Sequence, residues 1–276
     1  MAGILEGMSI GFVGAGAMAE AMLRGLAGSG ARLLASDPDP VRRQKIKGEL
    51  GVEVLASNPE LVTEVQVVVL AVKPQVARGV LAEIGPRLRP GQTILSIVAG
   101  LRLGAIARHL PAGIGLIRAM PNAPALIAAG ITGVAFGEGS GAAEEELARA
   151  ILAPLGRMVV VPEGLLDAVT GLSGSGPAYV ALFAEALIEG GVKAGLPRAI
   201  ATELAVQTLL GAARILAAGE TPVSLRERVT SPGGTTAYGL YALERGGLRA
   251  AVIEAVSAAT ERAAELGAVF GEDAGG

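Results

Sequence analysis

Short apolar runs alternate with stretches of helical periodicity as far as residue 162, the pattern of successive βαβ units and a mostly parallel sheet. It predicts strands at 8–13, 32–36, 65–72, 93–98, 115–119, 132–136 and 158–161, with helices between many of them. The run Val67-Val68-Val69-Leu70-Ala71-Val72 shows no polar alternation, as expected of a strand covered on both faces. After Val161-Pro162-Glu163-Gly164 the pattern changes to long Ala- and Leu-rich segments, so the chain divides into an α/β domain at 1–162 and an all-helical domain at 163–276. Within the second, 178–189, 198–218 and 248–266 are apolar around much of the helix circumference and call for burial on several sides. That is more burial than one small bundle of about 110 residues needs, and an interlocked dimer is the economical explanation.

The first strand runs into Gly11-Phe12-Val13-Gly14-Ala15-Gly16-Ala17-Met18-Ala19, which opens a helix. This is the fingerprint of a dinucleotide-binding Rossmann domain. Gly14 permits the tight strand-to-helix turn, Gly16 lets backbone approach a pyrophosphate, and Ala19, small like the usual third glycine, lets helix and strand pack closely. Phosphate sits at such a helix N-terminus on exposed N–H groups. Chance glycine matches are frequent in a chain with 41 glycines, and a structural glycine turn is the alternative. Asp37 strengthens the first reading, because it ends the next apolar run, where an acid reaches the adenosine ribose.

Composition narrows the classes. The chain has 276 residues and is 51% hydrophobic, enough for large cores and about two domains. It is only 3% aromatic, so the interior is built from small aliphatic side chains. A net charge of -3 without a run of like charges gives no nucleic-acid footprint and no patch for an anionic membrane. With no cysteine and the single histidine His109, disulfides, thiol catalysis and His or Cys metal clusters are excluded, and no metal site is expected. The first ten residues lack a signal-peptide pattern and no uninterrupted apolar run reaches the ~18 residues of a span. A soluble cytoplasmic protein is the default expectation, with residues 271–276 a loose tail.

Further clusters fall after strands or before helices. Ala71-Val72-Lys73-Pro74 ends the central strand; the alternative is a surface lysine beside a helix-starting proline. Arg118-Ala119-Met120-Pro121-Asn122-Ala123-Pro124 forms a stiff loop suited to fixing the nicotinamide end, or a structural turn. Val229-Thr230-Ser231-Pro232-Gly233-Gly234-Thr235-Thr236-Ala237-Tyr238 leads into a helix with N–H and hydroxyl donors at the positive dipole end, able to hold a carboxylate without an arginine. Ordinary Ser or Thr capping is the alternative there. Gly174-Ser175-Gly176-Pro177 reads as a packing feature, and His109 as a solvent-facing residue near a helix end.

Gly11 to Glu20, Ala71-Val72-Lys73-Pro74, Met120-Pro121-Asn122, the stretch from Asp167 to Tyr179 and Ser231-Pro232-Gly233-Gly234-Thr235-Thr236 together resemble the pyrroline-5-carboxylate reductase family, in order and spacing over nearly the whole chain. The resemblance implies an N-terminal Rossmann domain and a C-terminal helical dimerisation domain, with dimers that often assemble into decamers. It implies reduction of the cyclic imine 1-pyrroline-5-carboxylate to L-proline with NADPH or NADH. By the same resemblance, Gly14, Gly16, Ala17 and Met18 take the pyrophosphate, and Ser36, Asp37 and Asn58 the adenosine and ribose end. Val72, Lys73 and Pro74 line the cleft, and Ala99, Met120, Pro121 and Asn122 flank the nicotinamide. Ser231, Gly233, Gly234, Thr235 and Thr236 bind the substrate carboxylate, with the Thr236 hydroxyl near the imine nitrogen as the catalytic candidate. The pocket is expected to be completed across the dimer interface.

The residues pull two ways on coenzyme choice. Asp37 favours NADH by accepting from a free 2′-OH and repelling a 2′-phosphate. Ser36, Arg42 and Arg43 favour NADPH, and family members commonly carry a neutral residue at the Asp37 position, so use of both is expected. Two rival readings fit the fold. A β-hydroxyacid dehydrogenase needs a lysine on the helix after the Gly-rich turn, whereas here none occurs before Lys193. A non-catalytic redox sensor has no need of the Ser231 to Thr236 loop.

Overall fold

The computed structural model describes residues 3–272, with side chains through 268. The end of the expected tail, from 273, lies outside the described residues. The chain forms two compact units: residues up to Gly174 with those from Ala258 onward, and Ser175–Ser257.

The first unit is built on strands β1 (Ser9–Val13), β2 (Arg32–Ser36), β3 (Glu53–Leu55), β4 (Val67–Leu70), β5 (Thr93–Ser96), β6 (Gly115–Met120), β7 (Gly130–Phe136) and β8 (Gly156–Val160). They form one sheet in the order β3-β2-β1-β4-β5-β6-β7-β8. All neighbours are parallel except β6 and β7. The mostly parallel doubly wound arrangement is the Rossmann topology expected, with one strand, β3, that the sequence did not announce. It is three residues long and only partly buried, too short for an apolar run to mark it. Every residue of β4 is buried, as its unbroken apolar run predicts.

Helices of this unit are α1 (Ala17–Leu26), α2 (Pro40–Leu50), α3 (Asn58–Thr63), α4 (Pro74–Ile84), α5 (Leu103–Ala107), α6 (Ala142–Leu152) and α7 (Leu166–Val169), the last continued by a π-helical turn at Thr170–Gly174. Two cores flank the sheet. One gathers Phe12, Ala19, Met22, Leu23, Val134 and Ile151 against α1 and α6; the other gathers Val13, Val68, Leu70, Leu81, Ile94 and Ile106 against α3, α4 and α5. Alternation of Phe12 with Val13 across the two cores is the period of two of a strand packed on both sides.

The second unit is helical: α8 (Gly176–Lys193), α9 (Arg198–Ala217), α10 (Pro222–Arg228), α11 (Thr235–Arg245) and the first part of α12 (Leu248–Glu272). Expected burial of these helices on several sides is not met within one chain. Among the described residues of α8 none is buried, and in α9 only Ala201 and Ala205 are. Val180, Leu182, Leu204, Val206, Tyr241, Val252 and Ile253 are instead exposed. Between α8, α9 and α12 lies an apolar hollow of about 440 Å³ lined by Tyr179, Phe183, Leu209 and Leu248. By length and composition α9 is also apolar enough to cross a membrane, a feature the unbroken-run criterion passed over because Thr202, Glu203, Gln207 and Arg214 interrupt it.

Candidate active site

Because β1 to β6 run parallel, their carboxyl ends share one edge, and the candidate coenzyme residues lie there. Gly14 to Met18 follow β1, Ser36 and Asp37 end β2, Asn58 follows β3, Val72 to Pro74 follow β4, Ala99 follows β5, and Met120 to Asn122 end β6. The order of strand addition reverses between β1 and β4, the switch point at which such sheets hold dinucleotides.

The residues fit that ligand. Gly14 has φ +92°, and a Cβ there would stand 2.8 Å from the Ala71 carbonyl oxygen, so the turn passes directly against the end of β4. Its N–H donates to the Ser36 carbonyl at 2.8 Å. Gly16, by contrast, faces open space, and no side chain caps α1 behind it. The first-turn amides of α1 therefore keep the positive end of the dipole for an anion. Ala19 is fully buried, as close helix-to-strand packing demands. Neighbouring α2 and α3, in contrast, are closed by the side chains of Asp39 and Ser57.

At the carboxyl end of β2 the polar groups are tied together. Asp37 Oδ2 accepts from the Ala15 N–H at 2.9 Å, and Oδ1 from the Asp39 N–H at 2.9 Å. Arg43 donates to the Asp37 and Pro38 carbonyls at 2.8 and 2.9 Å. Arg42 donates to the Ala15 carbonyl and, at 2.7 Å, to Glu20. Ser36 is fully buried, with its hydroxyl donating to Asn58 Oδ1 at 2.8 Å, while Asn58 Nδ2 donates to Glu83 at 3.1 Å. Glu20 also meets Arg24 and Lys45. Burial works to raise its carboxyl, but hydrogen bonds from Lys45, Arg24 and Arg42, with the charge of Arg42, outweigh that and hold it below the ordinary range. Glu20 and Glu83 were not singled out in the sequence. Each lies more than 20 residues from a partner it orients, and nothing local marks it.

Past the ends of β4, β5 and β6, Lys73 and Ala99 are exposed, Val72 and Pro74 half-buried, and Pro121 buried. Asn122 Oδ1 accepts from the Ile131 N–H at 3.0 Å, closing the loop onto β7. Beneath it, Arg118 is 4% exposed and meets Glu163 at 3.2 Å and Asp167 at 3.7 Å. His109 is half-buried rather than solvent-facing; burial, then the charges of Arg78 and Arg108, lowers its pKa. Its carbonyl packs where a Cβ on Gly85 would stand, which is how the chain end of α5 comes to be covered.

In the second unit, Ser231 to Gly234 form the turn before α11. Gly233 has φ +69°, and Gly234 N–H donates to the Ser231 carbonyl at 3.0 Å. A Cβ on Gly234 would stand 2.3 Å from Ser231 Oγ, so only glycine fits. No side chain caps α11. Ordinary Ser or Thr capping is thus not what this turn does, and the Thr235 and Thr236 amides stand at an eleven-residue helix start. Thr235 is exposed and Thr236 half-buried.

Known proteins share both parts. Residues 163–266 match the family model described as pyrroline-5-carboxylate reductase dimerisation, and residues 9–100 that described as NADP oxidoreductase, coenzyme F420-dependent. The chain is 45% identical to a pyrroline-5-carboxylate reductase of Synechocystis, over 94% of this chain and 98% of that one. It is 41% identical to that of Pseudomonas aeruginosa over 95% and 98%. Among solved structures it is similar to a pyrroline-5-carboxylate reductase from Coxiella burnetii, with TM-score 0.88, 36% identity and 94% and 98% coverage. A Plasmodium falciparum pyrroline carboxylate reductase with NADP bound gives TM-score 0.84, 32% identity and 95% and 99% coverage. The dimerisation match spans the helices whose faces are bare within one chain, α8 and α9. With identities of this size running almost end to end, the chain belongs to the pyrroline-5-carboxylate reductase family.

Proposed function

We propose that this chain reduces the C=N bond of 1-pyrroline-5-carboxylate to give L-proline, the last step of proline biosynthesis, using NADH or NADPH. The observation that carries the reading is the start of α11, where a glycine turn leaves the Thr235 and Thr236 amides for an anion in a chain whose other unit carries a dinucleotide cradle. Bound in that cradle, the coenzyme supplies the hydride taken up by the imine carbon.

The protein's part is placement. Gly14, Gly16, Ala17 and Met18 hold the pyrophosphate; Ser36, Asp37 and Asn58 shape the adenosine end; Val72, Lys73, Pro74, Ala99, Met120, Pro121 and Asn122 line the rest. Ser231, Gly233, Gly234, Thr235 and Thr236 grip the carboxylate. Backbone amides suit this task because they neutralise the anion without adding a full positive charge that would oppose protonation of the imine nitrogen. The Thr236 hydroxyl orients that nitrogen, and the proton comes ultimately from solvent, since a threonine is a poor acid. Rate then depends on alignment of donor and acceptor carbons at roughly 3 to 3.5 Å.

The exposed faces of α8 and α9 support an interlocked dimer, with the helical domain taken from residue 163 and dimers able to assemble into decamers. A cytoplasmic enzyme, with no nucleic-acid or membrane partner, is the matching setting. The test is oxidation of reduced nicotinamide by purified protein on addition of the imine, with proline assayed in parallel. One proline per coenzyme oxidised is expected, and no imine-dependent oxidation with either coenzyme would refute the reading.

A further inference from the structure

Successive outward positions of β6 on one face, Leu116, Arg118 and Met120, are all covered by the segment from Glu163 to Gly174. Leu116 and Met120 pack on the small core of Leu103, Ala135 and Leu166. Arg118 meets Glu163 and Asp167. At the end of the strand the fit becomes specific: a Cβ on Gly174 would stand 2.9 Å from the Met120 ε-methyl, closer than such atoms approach. The methyl thus occupies the place that any side chain at 174 would take. The backbone of Gly174 is not in a left-handed conformation, so it is the neighbour and not φ that opposes a side chain here. Gly174 also closes the π-helical turn, a local widening often found where a backbone is shaped for function.

We propose that Gly174 is a positioning residue for the reaction: by lacking a side chain it seats Met120 against the π-turn and so fixes the wall that Met120, Pro121 and Asn122 present at the carboxyl end of β6. This deepens the reading of that edge as the nicotinamide half and rests on it. The ε-methyl is the far end of a flexible side chain, so an added methyl at 174 moves it by rotation and costs little stability. What changes is the position of Met120, and hydride transfer is sensitive to misplacement of that size.

The test compares Gly174→Ala, Met120→Leu and the double variant, since leucine has no ε-methyl. A crystal structure of coenzyme-free Gly174→Ala is expected to show the Met120 methyl displaced by about 1 Å or more, with kcat lowered about tenfold and NADH affinity by fluorescence titration changed less than about threefold. The deuterium isotope effect with C4-labelled NADH should rise as hydride transfer becomes limiting. The double variant should return to within about threefold of Met120→Leu alone. An unmoved Met120, or losses that simply multiply, overturns the proposal. If Gly174→Ala is insoluble, the double variant must be soluble, and insolubility of both overturns it equally. Failure of the underlying reading looks different, because wild-type protein would then neither bind NADH nor oxidise it with the imine while the Met120 displacement is still seen.

Discussion

The carboxylate of Asp37 accepts a hydrogen bond from the amide of Ala15 at 2.9 Å, so the acid that ends β2 is joined directly to the glycine turn that ends β1. With its other oxygen on the Asp39 amide, Asp37 braces two loops as well as carrying negative charge at the adenosine end. Replacing it by serine removes the charge and loosens the brace. The expected result is a shift of the kcat/KM ratio toward NADPH of about tenfold, or about 1.4 kcal/mol. Steady-state kinetics with both coenzymes measure it. An unchanged ratio would show that the charge does not face the 2′ position, and a hundredfold preference in the wild type would contradict use of both.

Thr236 begins α11 beside Thr235, half-buried where Thr235 is exposed. Thr236→Ala should lower kcat by on the order of a hundredfold while coenzyme affinity hardly changes, as loss of substrate orientation requires. Titration of NADH fluorescence beside turnover measurements separates the two effects, and equal losses in both would count against the role.

Arg118 is the buried cation of a cluster with Glu163 and Asp167, and Asp167 Oδ1 receives no hydrogen bond. Arg118→Met leaves two carboxylates without their shared charge. Arg102 still meets Asp167 at 3.4 Å, so the charge left behind is partly compensated and the cost is about 1 to 3 kcal/mol. Urea denaturation should show it as a lower midpoint, and a stability unchanged within error would mean that the cluster is solvated.

Glu20 gives the pH prediction. Its folded pKa is held below the ordinary 4.5, so its stabilising contribution is complete above that value and is lost as pH falls through the lower folded value. The melting-temperature difference between wild type and Glu20→Gln should therefore be present at neutral pH and shrink below about pH 4.5. A difference that stays constant down the acid limb would show that Glu20 does not titrate in this way.

Leu182 is 68% exposed on α8 and lines the apolar hollow of the helical unit. Leu182→Glu would place a charge in the face proposed to meet a second copy, a desolvation penalty large enough to separate subunits. Sedimentation should find a smaller species with reduced activity, and an undisturbed oligomer would place the contact elsewhere.

Much of this was legible in the chain because the signals are local. The glycine turn and the apolar runs of β1, β2 and β4 declare themselves by spacing. The start of α11 was visible as a donor-rich turn, but only the absence of a side-chain cap on the helix distinguishes it from ordinary capping. β3 was missed because three half-buried residues carry no pattern. The partners of Ser36, Asn58 and Arg118 are set by strand order, which brings together residues 22 to 45 positions apart and leaves no periodic trace. An apolar circumference in α8 and α9 indicates burial without saying in which chain the covering atoms lie; only its excess over the need of one small bundle points to a second chain.

The central claim is that the carboxylate of a small imino acid is held by main-chain donors at the start of α11 during reduction by a nicotinamide coenzyme. A crystal structure with oxidised coenzyme and L-proline tests it most directly. The account predicts the proline carboxylate within hydrogen-bond distance of the Thr235 and Thr236 amides, with the nitrogen toward the Thr236 hydroxyl. Proline bound elsewhere, with those amides facing only water, would contradict it.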